Sequence, residues 1–216
     1  MTETGELPRS VGRLRAPQQD TVLFVVVPGP LGGSNRSLAT LLAAIGPRVV
    51  RVLAAPTRGG FVDLVRQRGL IEHLIPLPWT PYLLRKPMRF MAACRIAGWA
   101  MVRRRRLIAI HANATRGLNL VAPAAVLTRV PVTVWVHDPA ASQWGRRLGP
   151  LLRRILPDVR WAAVSSTARE VAVANGLCRP EEVHIVPNPI DPAEVEAPRR
   201  AEANGTVVGF LGAASE

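Results

Sequence analysis

Short apolar, β-branched runs alternate along this chain with segments of helix length, and no other feature narrows its fold as much. The strand-length runs fall at 22–27, 49–53, 71–75, 107–111, 132–136, 161–165 and 183–186. Helix-length segments lie between them, near 35–44, 60–68, 87–106, 117–128, 142–156 and 166–175. A strand, a crossover helix and a further strand make parallel neighbours, because a two-residue turn cannot return the chain to the starting edge. Gly46, Gly69 and Gly176 each follow a helical segment, where a left-handed C-cap favours glycine. Seven strands with six intervening helices predict an α/β fold: a Rossmann-like, doubly wound, mainly parallel sheet. A content of 48% hydrophobic and 20% charged residues fits such a domain.

The rhythm breaks in three places. Residues 1–19 read as a flexible tail, polar and Arg-bearing, with no apolar core of a signal peptide. "IPLPWTPYLLRKP", 75–87, carries four prolines with Trp79 and Tyr82 and reads as an ordered surface loop. After 20–192, taken as one domain, residues 193–205 are rich in Pro, Ala and charge and read as a linker. "TVVGFLGAASE", within 206–216, then opens as the first strand and loop of a second domain.

Charge is the next constraint. The net charge of +13 comes from 27 Arg and a single Lys, Lys86, against 15 acids. Arg favours planar contacts with phosphate and carboxylate, so anionic partners are expected. The run Arg103 to Arg106 either opposes the negative end of a helix macrodipole or touches an anionic membrane. A nucleic-acid partner is not expected, since no recognition helix, zinc spacing or aromatic stacking array accompanies the charge. Cys94 and Cys178 lie far apart without metal-ligand spacing and read as reduced thiols. The expected location is cytoplasmic, with peripheral membrane association left open.

The first strand runs into "VVVPGPLGGSNRSLATLL", an apolar run, a Gly- and Pro-rich loop and a helix start. That order builds anion sites, because helix-start amides carry partial positive charge. Gly29, Gly32 and Gly33 lack the spacing of a dinucleotide fingerprint, and the second strand ends without an acid. The loop also lacks the lysine of a triphosphate-binding P-loop. What remains is the pair Gly32 and Gly33 ahead of Ser34 or Asn35 as helix N-cap, either a tight turn or a place where a ligand meets backbone.

Three further polar clusters fall at later strand ends, the edge where open α/β sheets bind ligands. They are "IHANATRG" with His111, Asn113 and Arg116; "WVHDPA" with His137 and Asp138; and "AVSSTARE" with Ser165 and Ser166. Each has a plainer reading: His137 as a core histidine satisfied by Asp138, Ser166 as an N-cap with Glu170 nearby. No paired carboxylates of the hydrolase kind are evident.

In order and spacing, "GPLGGSNRSLATLL", "VHD", "AVSSTAREVAVANGL", "VHIVPNPID" and "VVGFLG" resemble the first half of glycosyltransferase family 4 enzymes, from Thr21 to the C-terminus. The resemblance implies the N-terminal half of a GT-B architecture, two Rossmann-like domains across a cleft. It implies transfer from a nucleotide diphosphate-sugar, without cofactor or metal and with retention at the anomeric carbon. The acceptor, a glycan, lipid-linked or small molecule, would sit mainly on this half. Gly32 and Gly33 would lie beside the donor diphosphate or sugar, His137 would touch the sugar at the reaction centre, and Ser165 would line the cleft. Asn188 and Asp191 would stand at the interdomain crossing, where Pro189 replaces the family's common glycine. Because the family's donor grip belongs to the second domain, the chain to Glu216 is expected not to turn over alone. The alternative is a stand-alone acceptor-binding or regulatory module working with a separate catalytic partner.

Overall fold

The computed structural model describes residues 19–27, 31–78, 86–137, 151, 154–156 and 158–190. Seven strands form one sheet: β1 (Asp20–Val25), β2 (Val49–Pro56), β3 (His73–Leu77), β4 (Leu107–Ala112), β5 (Val132–Val136), β6 (Val159–Ala163) and β7 (Val183–Ile185). The helices are α1 (Gly33–Ala44), α2 (Gly60–Gln67), α3 (Lys86–Arg103), α4 (Leu118–Thr128) and α5 (Ser166–Ala174). The spatial order is β3-β2-β1-β4-β5-β6-β7, and every pairing is parallel. The fold is thus Rossmann-like and doubly wound. From β1 the chain moves one way through α1 to β2, and from β4 it moves the other way through α4 to β5. The crevice between β1 and β4 is therefore the topological switch point.

Side-chain alternation explains the two layers. Phe24, Val26, Leu53 and Ala55 meet Leu38, Leu42, Phe61 and Val65 of α1 and α2 on one face. Leu23, Val25, Ile110, Val132 and Val134 meet Ile96, Val121 and Ala168 of α3, α4 and α5 on the other. Both central strands are buried on both faces, so they read as continuous apolar runs. Arg51 of β2 ties the layers at an edge: its guanidinium bonds Glu72 at 2.6 Å and the Leu42 carbonyl at 3.1 Å. Partial burial raises the Glu72 carboxyl pKa, and the Arg51 contacts outweigh it, leaving a net lowering.

Several predicted boundaries move for local reasons. Gly69 and Gly176 adopt positive φ as expected, but Gly46, at the same place after its helix, does not, because the C-cap Ile45 is extended where Arg68 and Asn175 are not. The α3 helix stops at Arg103, not Arg106. Residues 104–106 instead turn toward β4, where the Arg106 carbonyl accepts the Thr21 N–H at 2.8 Å. Strand β6 stops at Ala163 because Ser165 leaves the ladder to cap α5, accepting from the Ala168 N–H at 3.1 Å. Ser166, expected as that cap, is the first helical residue. Of the helix expected at 142–156 only Leu151, Arg154, Ile155 and Leu156 are described; the first three are helical and Leu156 is not. The tail, the Trp79–Tyr82 loop, the linker and the strand expected after residue 205 lie outside the described residues. Among the described residues no helix is long and apolar enough to cross a membrane.

Candidate functional site

At the switch point the first turn of α1 is locked to the loop after β4. The Asn113 N–H donates to the Val25 carbonyl at 3.1 Å. Its side-chain Nδ2 reaches the Ser34 carbonyl at 3.4 Å and Asn35 Oδ1 at 3.3 Å. Asn35 is consequently not the N-cap that its position suggests. It is buried inside the first turn, and Gly32 occupies the cap with no side chain closing the helix end. The same turn carries no acid. The positive end of α1 is left without a protein counter-charge from its own sequence.

Neither Gly32 nor Gly33 is required by the fold. Gly32 has extended backbone, with φ −90° and ψ −178°, which any residue adopts. A methyl group built on either glycine would meet nothing within 4 Å. Both are exposed. The contrast is Gly117, where a Cβ would meet Ala112 Cβ at 3.4 Å, so that glycine lets α4 approach β4 and β1. The tight-turn explanation thus fits Gly117 and not the pair at α1, whose bare backbone faces open space.

Beside this helix end stands a line of rings on the α1 side of the sheet. Phe24 and His111, paired across β1 and β4, lie 5.5 Å apart between centroids. His111 and Trp135 follow at 5.8 Å, and Trp135 and His137 at 4.8 Å. Trp135 lies in register with Ala162 of β6 and extends its indole N–H to the Val186 carbonyl beyond β7, at 3.5 Å. Burial lowers the His111 pKa to about 4, with the nearby His137 charge adding to it and the Asn113 amide opposing. Burial likewise lowers His137 to about 4. Both imidazoles are neutral at neutral pH.

Among the described residues three polar atoms here are buried without a hydrogen-bond partner: His111 Nε2, His137 Nε2 and Asn113 Oδ1. Folded proteins pair nearly all such atoms, so a group of exceptions at a switch point makes this the candidate site. Neutral imidazoles and an amide can bond sugar hydroxyls, while the uncapped start of α1 suits a phosphate.

The other expected positions separate from this cluster. Arg116 is exposed in a short 3-10 turn after β4. Ser165 serves as the cap of α5. Asn188 is exposed beyond β7, three strand positions from β4 and so roughly 14 Å across the sheet. Ser34 contributes its carbonyl to Asn113. Asp138 and Asp191 lie outside the described residues. The residues that sequence reasoning passed over are Trp135, which reads there as one more apolar strand residue, and His111 as a partner of His137. Among the described residues no group of three or more His, Cys, Asp or Glu is placed to hold a metal ion.

A model of Glycosyltransferase Family 4 matches residues 31–194. Among solved structures, Anabaena HepE in complex with UDP and glucose is similar with a TM-score of 0.60 at 21% identity, over 80% of this chain and 45% of that one. A glycosyltransferase from Rickettsia africae is similar with a TM-score of 0.58 at 13% identity, over 78% and 43% of the two chains. The lipopolysaccharide outer core galactosyltransferase WaaB, in its apo form, gives 0.55 at 10% identity over 80% and 46%. The chain spans less than half the length of these structures. No curated protein matches it.

Proposed function

Since the chain belongs to glycosyltransferase family 4, we propose that it forms the acceptor-side half of a retaining transferase that uses a nucleotide diphosphate-sugar. The observation that carries this reading is the trio of unpartnered buried atoms on His111, Asn113 and His137, set beside the bare glycine backbone at the start of α1. The complex of the similar HepE with UDP-glucose supports a nucleotide-sugar as donor.

In this reaction the acceptor hydroxyl oxygen bonds the anomeric carbon as the bond from that carbon to the diphosphate breaks, and the hydroxyl proton passes to the departing diphosphate oxygen. Negative charge grows on the departing diphosphate. The α1 N-terminus, unneutralised by any acid of its first turn, stabilises that charge where it develops. His137, kept neutral by burial, bonds a sugar hydroxyl and holds the ring for transfer, with Trp135 packed against it and His111 on the far side of Trp135. No step calls for a metal ion. The donor-side half, carried on a longer form of the chain or on a partner, completes the grip on the nucleotide, so that this half alone binds acceptor without turnover. The acceptor is a glycan, a lipid-linked sugar or a small molecule.

The test is a donor screen on the complete transferase, scored by release of nucleotide diphosphate with and without candidate acceptors. His137→Ala is expected to lower transfer about 100-fold or more while leaving the thermal melt cooperative. Wild-type turnover in that variant would remove His137 from the reaction, and release from no donor would overturn the reading.

A further inference from the structure

The α3 helix is built inside out. Its inner face, packed on α4, is made of small residues: Ala92, Ala93, Ala97 and Ala100 with one Ile96, all buried. Phe90, Met91, Met101 and Val102 point the other way, while Trp99 packs partly buried against the core. Phe90 is 70% exposed and Val102 83% exposed, with Met91 and Met101 also exposed between them. Their spacing, 90/91 and 101/102 with Cys94, Arg95 and Gly98 between, is a single stripe at helical period. A helix that serves only a core keeps its large apolar side chains inward, and α3 leaves four of them outward.

The chain that carries this stripe is strongly basic, although Asp20 of β1 lines the same surface cavity as Arg103 and Arg106. From Glu72 to Asp138 the sequence holds no acid at all, while it holds nine Arg and one Lys, which is most of the net charge of the chain. Arg95 and Arg103 to Arg106 are exposed on α3 and the turn that ends it. Among the described residues Arg51, Arg160 and Arg179 form ion pairs, and Arg89 at the start of α3 also has a partner. Both α3 and α4 follow a strand and precede a parallel one, so both end at the amino edge of the sheet. The exposed Val126 and Leu127 of α4 and the exposed Arg129 therefore add apolar and basic surface at the end where Val102 and the four arginines stand.

We propose that the outward face of α3, with the adjoining end of α4, docks the protein on an anionic phospholipid bilayer, the helix lying in the plane of the headgroups. Its 18 residues extend about 27 Å, and it is not apolar enough to cross. Phe90, Met91, Met101 and Val102 enter the boundary between headgroups and acyl chains, and the arginines hold lipid phosphates around them. The charge complement selects this occupant over an apolar protein surface, which would leave the arginines without counter-charges. The inference does not rest on the transfer reading, since it uses a different face of the sheet.

Vesicle co-sedimentation of the protein, without nucleotide-sugar, tests it. Phosphatidylcholine vesicles with about a third phosphatidylglycerol should carry the protein down, and phosphatidylcholine alone should not. Binding should weaken steeply as salt rises from about 0.1 M to about 0.5 M. Arg104→Glu with Arg105→Glu should weaken it by roughly 30-fold or more, two basic residues at an anionic surface. Val102→Ser should weaken it by roughly tenfold while leaving the salt dependence in place. Both substitutions are on exposed positions, and a thermal melt confirms that the variants fold. Absence of binding to anionic vesicles, or equal binding by both variants, overturns the proposal. So does a concentration-dependent dimer, seen by light scattering, that Val102→Ser dissolves while no vesicle is bound. Because no donor is present, failure here leaves the transfer reading untouched, and failure of the donor screen leaves this one standing.

Discussion

His111 and His137 show how much a single residue owes to its surroundings. Each has a pKa lowered from 6.5 to about 4, mainly by burial, so the folded protein refuses protons that the unfolded chain accepts. Between pH 4 and 6.5 the unfolded state therefore binds more protons than the native one. Stability is full above about pH 6.5 and declines as the pH falls toward 4. His111→Phe removes one of these protons and keeps a ring against Phe24 and Trp135. The expected outcome is a flatter fall of the unfolding free energy between pH 6.5 and 4, by up to about 1.4 kcal/mol per pH unit for a single proton. A slope identical to that of the unaltered protein would show that His111 is not held neutral. In the sequence His137 is legible as a polar residue after a strand. That His111 shares its environment is not, because the two are joined only through Trp135 and the pairing of β4 with β5.

At the scale of elements, caps and ends decide roles that residue type leaves open. Ser165 and Ser166 are alike in sequence, yet only Ser165 closes a helix, since its extended backbone aims Oγ at the Ala168 N–H. Ser34 and Asn35 are both good caps, and neither caps α1. Asn113 captures the carbonyl of one and the amide oxygen of the other. The glycine pair can be tested by separating fold from function. Gly33→Ala introduces a methyl group into open space at the first helical position. Stability by thermal or urea melt should stay unchanged or rise by up to about 1 kcal/mol, as glycine is the poorer helix former. Turnover of nucleotide-sugar by the complete transferase should nevertheless fall about tenfold or more, because the methyl group stands where the donor approaches. Unaltered turnover would return Gly32 and Gly33 to the status of a simple turn.

Across the whole molecule, the sheet sets two working edges apart. The carboxyl edge holds the α1 end and the Asn113, His111 and His137 cluster, and the amino edge gathers Arg103 to Arg106 at the end of α3. A six-residue strand such as β1 separates them by about 20 Å. Gly33→Ala combined with Arg104→Glu and Arg105→Glu should therefore show the two losses independently, additive within about 0.5 kcal/mol when donor use and vesicle binding are each measured alone. A shared loss would mean that the edges are coupled through the sheet. The sequence by itself determined the seven strands, the parallel sense of the sheet and the strand ends where polar residues collect, because hydrophobic period and helix-length crossovers are properties of neighbouring residues. Tertiary structure alone decided that β1 lies beside β4, that Asn113 locks the first turn of α1, that three polar atoms among the described residues are left without partners, and that α3 turns Phe90, Met91, Met101 and Val102 outward. Those are consequences of which element packs against which. Packing joins residues such as Asn35 and Asn113, 78 positions apart, for which no local pattern exists to read.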